Sequence, residues 1–291
     1  MKTSLLLALA TSLALACGVA KAQEQKVLRY SFRVAESSFD PAQITDLYSR
    51  TVVASIFEAP LEYEFLARPA RMRTNTAAGM PEVSADFKSF TFRIKPGIHF
   101  ADDPAFKGAK RELTAQDYVY SIKRHYDPRW KSGNLYLLEN FKILGLSELR
   151  KELIDAKKPF DYDREVEGLK ALDRYTFQIK TAIPNPRLLQ YFTDASFLGA
   201  LAREVVEFYG DKIGDHPVGT GPFRITEWRR SSRIVLERNA NYREVRYDER
   251  PADSDARLQA IASGFKGKRL PVVDRGEISI IEGNPPRWLA F

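Results

Sequence analysis

The residues of this chain that could carry out catalysis are three histidines and one pair of adjacent carboxylates. His99, His125 and His216 are too scattered to bind a metal from one helical face, and no His-Glu-x-x-His motif occurs. Asp102 and Asp103 stand together before a proline, where a solvated loop is expected. The sequence also lacks a Gly-x-Ser-x-Gly nucleophile elbow. We therefore predict no catalytic residue, no metal site and no cofactor, although a Ser-His-Asp triad built from remote residues stays open.

A short glycine motif is the second candidate for chemistry. Gly219, Thr220 and Gly221 lack the third glycine of a dinucleotide-binding loop, and a strand follows them where that loop needs a helix. Glycines allow a tight turn, and they also let a ligand approach the backbone closely. The motif is interpreted either as a turn into the strand that begins at Phe223 or as part of a binding site.

Hydrophobic patterns predict the elements that would position these residues. Strands are predicted at 27–32, 90–95, 175–180, 223–227, 233–237 and 277–281. Helices are predicted at 45–58, from a capping box at Thr114 up to Pro128, at 201–209 and from Pro285 onward. Residues 59–88 are expected to be irregular, and residues 132–168 to form short helices and loops. The segments 90–95 and 175–180 are similar enough that we expect them to pair in one sheet.

The first 22 residues have the pattern of a secretory signal. Lys2 precedes an uncharged apolar stretch from Leu5 to Ala16, which is too short to span a bilayer. Small residues at Ala20 and Ala22 then suit signal peptidase. We predict that residues 1–22 are removed and that the mature chain is periplasmic. The alternatives are a buried apolar helix and lipid anchoring at Cys17, which follows an imperfect lipoprotein box.

Composition and charge narrow the possible functions. With 44% hydrophobic residues, the 291-residue chain can bury a sizeable core, and its one cysteine excludes an intrachain disulfide. The net charge of +7 arises from 45 cations and 38 anions, so charges of both signs are mixed. In an exported protein, the basic clusters at 229–233 and 266–269 are interpreted as solvated surface. No nucleic-acid partner is expected.

Several longer motifs follow one another in order along the chain. They are Ser38-Phe-Asp-Pro41, Phe90-Thr-Phe-Arg-Ile-Lys-Pro-Gly97, the segment from Leu113 to Ser121, the segment from Ala171 to Phe177, the segment from Val218 to Trp228, the segment from Arg233 to Asn239, and the segment from Val273 to Ile281. Together they resemble the family signature of the bacterial extracellular solute-binding proteins of family 5, the peptide-binding components of ABC importers.

The resemblance implies an α/β fold with two lobes that close on a solute about a hinge. Carried over, residues 23–58 and 201–291 would form lobe I, and residues 59–200 would form an inserted α+β subdomain. Family members normally continue well beyond this length, so the resemblance implies an N-terminal fragment without the second lobe. A helix that begins near Pro285 and has no C-terminal cap before Phe291 agrees with that expectation.

The resemblance also implies candidate ligand-binding residues, because the loop after the first strand faces the cleft in such proteins. The candidates in that loop, in the glycine motif and in the inserted subdomain are Ala35, Glu36, Ser37, Ser38, Gly219, Thr220, Gly221, Asn134 and Tyr136. Backbone groups of such loops can pair with an extended peptide. The Glu36 carboxylate is expected either to meet a ligand cation or to be solvated.

The sequence therefore predicts a monomeric, non-catalytic receptor that captures a peptide or similar small solute. Its other partners would be the permease subunits of an ABC importer in the inner membrane. The solute itself cannot be predicted, because one fold serves many ligands. The alternatives are an exported α/β hydrolase that uses the histidines and paired aspartates, and a lobe that only mediates interactions. A cleft with one wall is expected to bind its solute weakly, since it cannot desolvate it.

Overall fold

The computed structural model describes residues 25–289, so the predicted leader at 1–22 and Cys17 lie outside the described residues. The strands are β1 (Val27–Phe32), β2 (Leu61–Tyr63), β3 (Met72–Thr74), β4 (Glu82–Val83), β5 (Ser89–Arg93), β6 (Leu169–Ala171), β7 (Thr176–Lys180), β8 (Phe223–Arg229), β9 (Arg233–Arg238), β10 (Val245–Arg246), β11 (Arg269–Leu270) and β12 (Arg275–Ile280). The α-helices are α1 (Leu47–Val53), α2 (Ala115–Tyr126), α3 (Leu135–Phe141), α4 (Leu146–Asp155), α5 (Leu188–Tyr191), α6 (Ala195–Leu198), α7 (Arg203–Tyr209), α8 (Ala256–Phe265) and α9 (Asn284–Leu289). Within this range, every helix is too short or too polar to cross a bilayer.

The first four-stranded sheet has the strand order β1-β12-β9-β8. β1 runs parallel to β12, and Phe32 at the end of β1 lies opposite Ile280. β12 runs antiparallel to β9, so that Ser279 lies opposite Arg233 at the start of β9. β8 and β9 form the predicted hairpin around a turn at Ser231. The carboxyl end of β1 and the turn between β8 and β9 therefore lie at the same edge of this sheet.

The second four-stranded sheet has the order β4-β5-β7-β6. β5 and β7 pair antiparallel, which confirms the predicted pairing of the two similar segments. Phe92 and Phe177 lie directly opposite each other, and their stacked rings are 4.7 Å apart. All strands of the second sheet come from residues 82–180, whereas the first sheet uses 27–32 and 223–280. The division into lobe and inserted subdomain stays a prediction.

Helix α2 packs against β6, β7, α3, α4 and α6, and the capping box predicted at its start is confirmed. The Asp117 carboxylate accepts hydrogen bonds from the Thr114 backbone N–H (2.7 Å) and hydroxyl (2.9 Å). The helix is buried over more of its surface than the predicted apolar stripe indicated. Lys123, Arg124 and His125 are also buried, because neighbouring elements surround the helix on most sides.

Two stretches differ from the sequence-based expectation. The supposedly irregular residues 59–88 contain β2, β3 and β4, and β2 pairs with β3 as a hairpin. Residues 243–270, for which no element was predicted, form an excursion with the β10–β11 pair at its base and α8 beyond it. Most residues of α8 are exposed, so its sequence carries no continuous apolar stripe that would reveal it.

Candidate functional site

The candidate site is centred on the loop between β1 and α1, residues 33–46, which we call the β1–α1 loop. It leaves the sheet at the edge that also carries the turn between β8 and β9. It contains four of the predicted ligand residues, Ala35, Glu36, Ser37 and Ser38. Side chains from three separate elements hold it in place, and each contact is described below.

Glu36 connects the loop to the β8–β9 hairpin. Its Oε1 accepts hydrogen bonds from the Trp228 indole N–H (2.5 Å) and from the backbone N–H of Ser231 (3.3 Å). The residue is only 3% exposed, so the interpretation of Glu36 as a solvated carboxylate is wrong. Its second oxygen, Oε2, is buried and has no hydrogen-bond partner in the described part of the chain. A buried oxygen of this kind retains an unused capacity to accept a hydrogen bond.

Ser37 connects the loop to the start of α1. Its backbone N–H donates to Ser49 Oγ (2.9 Å), and its hydroxyl donates to Asp46 Oδ2 (2.5 Å). Asp46 is the N-cap of α1, since its Oδ1 also accepts from the Ser49 backbone N–H at 2.8 Å. Burial opposes ionisation of Asp46, but the hydrogen bonds from Ser37 and Ser49 outweigh it and lower the pKa of this carboxyl. Ser38 Oγ accepts from the backbone N–H of Asp40 (3.3 Å).

Asp40 connects the loop to α2 through a fully buried ion pair. Arg124 donates from both terminal nitrogens to the two carboxylate oxygens of Asp40, at 2.7 and 2.8 Å. The guanidinium also lies over the Trp130 ring, 4.2 Å from its centroid. Burial opposes the charge on Arg124, yet Asp40 outweighs it and raises the pKa of the guanidinium. This pair fixes the loop against a helix that lies 84 residues away in sequence.

Asn134 and Tyr136, the two candidates at the start of α3, differ in exposure. Asn134 is buried, and its side-chain N–H donates to the Ile44 carbonyl at 3.1 Å. Gly133 fits tightly there, because an added Cβ would lie 2.6 Å from Thr45 Cγ2. Tyr136, two residues on, is exposed. The structure therefore brings Asn134 to the β1–α1 loop and leaves Tyr136 open to solvent.

The glycine motif lies past the opposite end of α1. A Cβ on Gly219 would come within 2.0 Å of the Ile56 carbonyl oxygen, and one on Gly221 within 2.6 Å of it. Thr220 is buried and donates to Glu58 Oε2 (2.9 Å). Close packing of two backbone segments thus accounts for both glycines. The structure does not bring this motif together with Ala35 to Ser38, and its ligand role stays a prediction.

His125 cannot act as a free base, because both ring nitrogens are already bonded. Nε2 lies 3.0 Å from the Phe197 carbonyl, which only accepts, so Nε2 carries the proton. Nδ1 then accepts from the Ser132 hydroxyl at 2.7 Å. Burial lowers the pKa of His125 to about 4, with a smaller effect from the nearby Arg124.

The remaining catalytic candidates are dispersed. Asp103 caps a short 3₁₀ helix and accepts from the Tyr209 hydroxyl (3.0 Å), while Asp102 accepts from the Asn241 side chain. His216 is stacked on Tyr209, and His99 forms an isolated bridge with a neighbouring segment. Among residues 25–289, no His, Cys, Asp or Glu group is arranged to hold a metal ion. The hydrolase alternative therefore gains no support.

The residues that hold the β1–α1 loop were not recognised from the sequence. Asp46, Ser49, Arg124 and Trp228 act across separations of up to 192 residues, which no local pattern reveals. Asp46 alone could have been predicted, because an aspartate directly before a helical segment is typical of an N-cap.

Comparison with known proteins places this architecture in a family. The model of "Bacterial extracellular solute-binding proteins, family 5 Middle" matches residues 71–291. The periplasmic oligopeptide-binding protein OppA of Salmonella typhimurium is 28% identical over 237 residues, which are 80% of this chain and 39% of that protein. The dipeptide-binding protein of Escherichia coli is 30% identical over 247 residues, covering 80% of this chain and 41% of that protein. The chain thus spans about two fifths of the length of the relatives it matches.

Solved structures show the same fold. Haemophilus influenzae OppA in complex with the peptide RPPGFSPFR aligns with a TM-score of 0.67 at 22% identity, over 92% of this chain and 44% of that one. Helicobacter pylori DppA in complex with the peptide STSA aligns with a TM-score of 0.66 at 20% identity, over 93% and 46%. The predicted α/β fold of a periplasmic binding protein is confirmed. With a family model matched over most of its length, the chain belongs to the bacterial extracellular solute-binding proteins of family 5.

Proposed function

We propose that this chain provides one wall of the cleft of an exported solute receptor, with peptides or similar small solutes as its ligands. The observation that carries the proposal is family membership over residues 71–291. Two matching relatives are named for oligopeptide and dipeptide binding. The receptor would deliver its solute to the permease of an ABC importer in the inner membrane and would act as a periplasmic monomer, after removal of the leader.

Within that cleft, the β1–α1 loop is the proposed contact surface for the solute. Those backbone groups at 35–38 that are not already bonded to Ser49 would pair with the ligand main chain, with Asn134 and Tyr136 as further contacts. A loop that is fixed before binding loses little conformational entropy when the ligand arrives. The contacts to Trp228, Asp46 and Arg124 support the proposal, because they hold the loop in one conformation.

Glu36 is the proposed recognition point for a cationic group of the ligand. Its Oε1 is engaged by Trp228, whereas its buried Oε2 has no partner in the described chain. An ammonium or guanidinium that reaches Oε2 would supply the missing hydrogen bond and the opposite charge. Because Oε2 is covered in this structure, the Glu36 side chain would have to turn towards the solute, while the contacts of Ser37 and Asp40 keep the loop backbone in place.

Thermal shift with millimolar di- to pentapeptides tests the proposal. Peptides with a free N-terminal ammonium should raise the melting temperature, and N-acetylated peptides should raise it less. The substitution Glu36→Gln keeps an oxygen for Trp228 but replaces Oε2 by an amide N–H₂, so it should abolish the preference for the free amine. Glu167→Gln, at an exposed turn position, is the control. Absence of any effect at millimolar peptide would refute the β1–α1 loop as a contact surface for the solute, and an unchanged preference in Glu36→Gln would refute the role of Glu36 alone.

A further inference from the structure

We propose that α8 and the residues that follow it, up to Arg269, form a docking surface for an anionic lipid membrane. The excursion, residues 243–270, lies outside both four-stranded sheets, and its β10–β11 pair forms a small sheet of its own. The docking surface, which we call the basic tip, is formed by α8, the turn after it and the first residue of β11. Its residues are Arg257, Ile261, Phe265, Lys266, Lys268 and Arg269.

The base of the excursion is firmly attached to the rest of the molecule. Arg73 on β3 pairs with Glu62, with Asp248 (3.0 Å) and with Glu249 (3.1 Å). Glu249 also accepts from the backbone N–H of Leu66 at 2.9 Å. The bonds of Asp248 and Glu249 cross from the excursion to the β2–β3 hairpin and its loop. The basic tip is therefore presented on a fixed support.

The cations of the basic tip are exposed and uncompensated. Arg257, Lys266, Lys268 and Arg269 have no carboxylate partner among the residues that the structure describes, in contrast to Arg73 at the base. Their side chains also donate no hydrogen bond there. Residues 257–269 thus carry four positive charges and no acidic residue, which gives this segment a local charge of +4.

Two apolar side chains lie among these cations. Ile261 and Phe265 are one helical turn apart on α8 and are 40% and 37% exposed. The Lys268 ammonium lies 4.8 Å from the centroid of the Phe265 ring. An exposed apolar pair flanked by long cationic side chains suits a lipid interface, which offers both an apolar and an anionic environment. The cations then reach the headgroups while the apolar residues contact the acyl boundary.

The four cations of the basic tip are not held in a fixed geometry, and this favours a lipid surface over an acidic protein as the partner. Specific recognition of carboxylates uses guanidinium groups that are held in position, as Arg124 is held by Asp40. None of the four cations of the basic tip is held in this way within residues 25–289. A membrane of anionic lipids presents a diffuse array of charge and needs no such match. In this proposal the basic cluster at 266–269 contacts a membrane, instead of being solvated surface as the sequence suggested.

Cosedimentation of the full chain with vesicles tests the proposal. The readout is the partition coefficient on phosphatidylglycerol–phosphatidylcholine vesicles divided by that on phosphatidylcholine alone, because the apolar N-terminal segment contributes to both. Combining Lys266→Gln, Lys268→Gln and Arg269→Gln should lower this ratio on the order of a hundredfold, at roughly fivefold per cation. Raising the salt concentration should lower the ratio for the unchanged chain.

A matched control separates the basic tip from the net charge. Combining Lys107→Gln, Lys110→Gln and Lys158→Gln removes the same charge at exposed positions elsewhere and should change the ratio by no more than about twofold, because salt screens distant charges. The proposal is overturned if both triple variants lose binding equally. A chain with no preference for anionic vesicles, or one that binds polyglutamate but not vesicles, also overturns it.

Discussion

At the level of single residues, burial determines which polar side chains can still form new bonds. His125 is buried with both ring nitrogens bonded, so it has no free site for chemistry. Glu36 is equally buried but keeps one oxygen without a partner in the described chain. Two residues that are alike in burial thus differ in function. The histidine joins α2 to Ser132 and Phe197, and the glutamate is the proposed contact for a ligand cation.

The burial of His125 predicts a pH-dependent stability. Burial lowers its pKa from 6.5 to about 4. Between these two pH values, the unfolded chain therefore binds a proton at this histidine and the folded chain does not. The contribution of this group is therefore constant above pH 6.5 and is lost as the pH falls from 6.5 towards 4. At pH 5 the loss is ~2 kcal/mol. Urea unfolding at pH 7 and pH 5 should show a smaller difference for His125→Gln than for the unchanged chain.

The exposed His216, stacked on Tyr209, provides the control for this experiment. The variant His216→Gln keeps the buried His125 and should therefore retain the loss of stability that His125 causes between pH 7 and pH 5. If His125→Gln kept the full dependence, the loss of stability would belong to other groups and His125 would not be the buried neutral residue described above.

At the level of elements, the ion pair between the β1–α1 loop and α2 is the main attachment of the candidate site. Asp40→Asn leaves the Arg124 guanidinium buried without a counter-charge, where both side chains are 0% exposed. Breaking a buried pair in this way should lower the unfolding free energy by about 3–5 kcal/mol. The surface pair of Asp211 with Arg129 is the control, and Asp211→Asn should cost less than about 1 kcal/mol. Chemical denaturation compares the two, and equal small losses would mean that Arg124 finds another partner.

Local patterns predicted the elements better than the contacts between them. Three features could be predicted because each depends on residues close together in sequence. They are the alternating pattern of β5 and β7, the capping box of α2 and the β8–β9 hairpin. The pair of Asp40 with Arg124 and that of Glu36 with Trp228 join residues 84 and 192 positions apart. Such contacts depend on how the elements pack, so the candidate loop was predicted without the side chains that fix it.

At the level of the whole molecule, one sheet edge brings distant parts of the chain together. The parallel pairing of β1 with β12 places the β1–α1 loop beside the β8–β9 turn, and the excursion remains outside this arrangement. The length and composition of the chain predict neither the shared sheet edge nor the excursion. The excursion has no hydrophobic pattern that would predict it, because α8 is mostly exposed. The basic residues after α8 were recognised from the sequence only as a cluster of charges.

The central claim, that the β1–α1 loop contacts a peptide, can be measured directly through Trp228. The chain contains three tryptophans, and Trp228 donates to Glu36 while Trp130 packs on Arg124 in the interior. Fluorine NMR of the 5-fluorotryptophan-labelled chain, assigned with Trp228→Phe, would follow each indole during a titration with a tripeptide. The account predicts a saturable shift of the Trp228 resonance that exceeds that of Trp130. No shift, or equal shifts of both resonances, would contradict it.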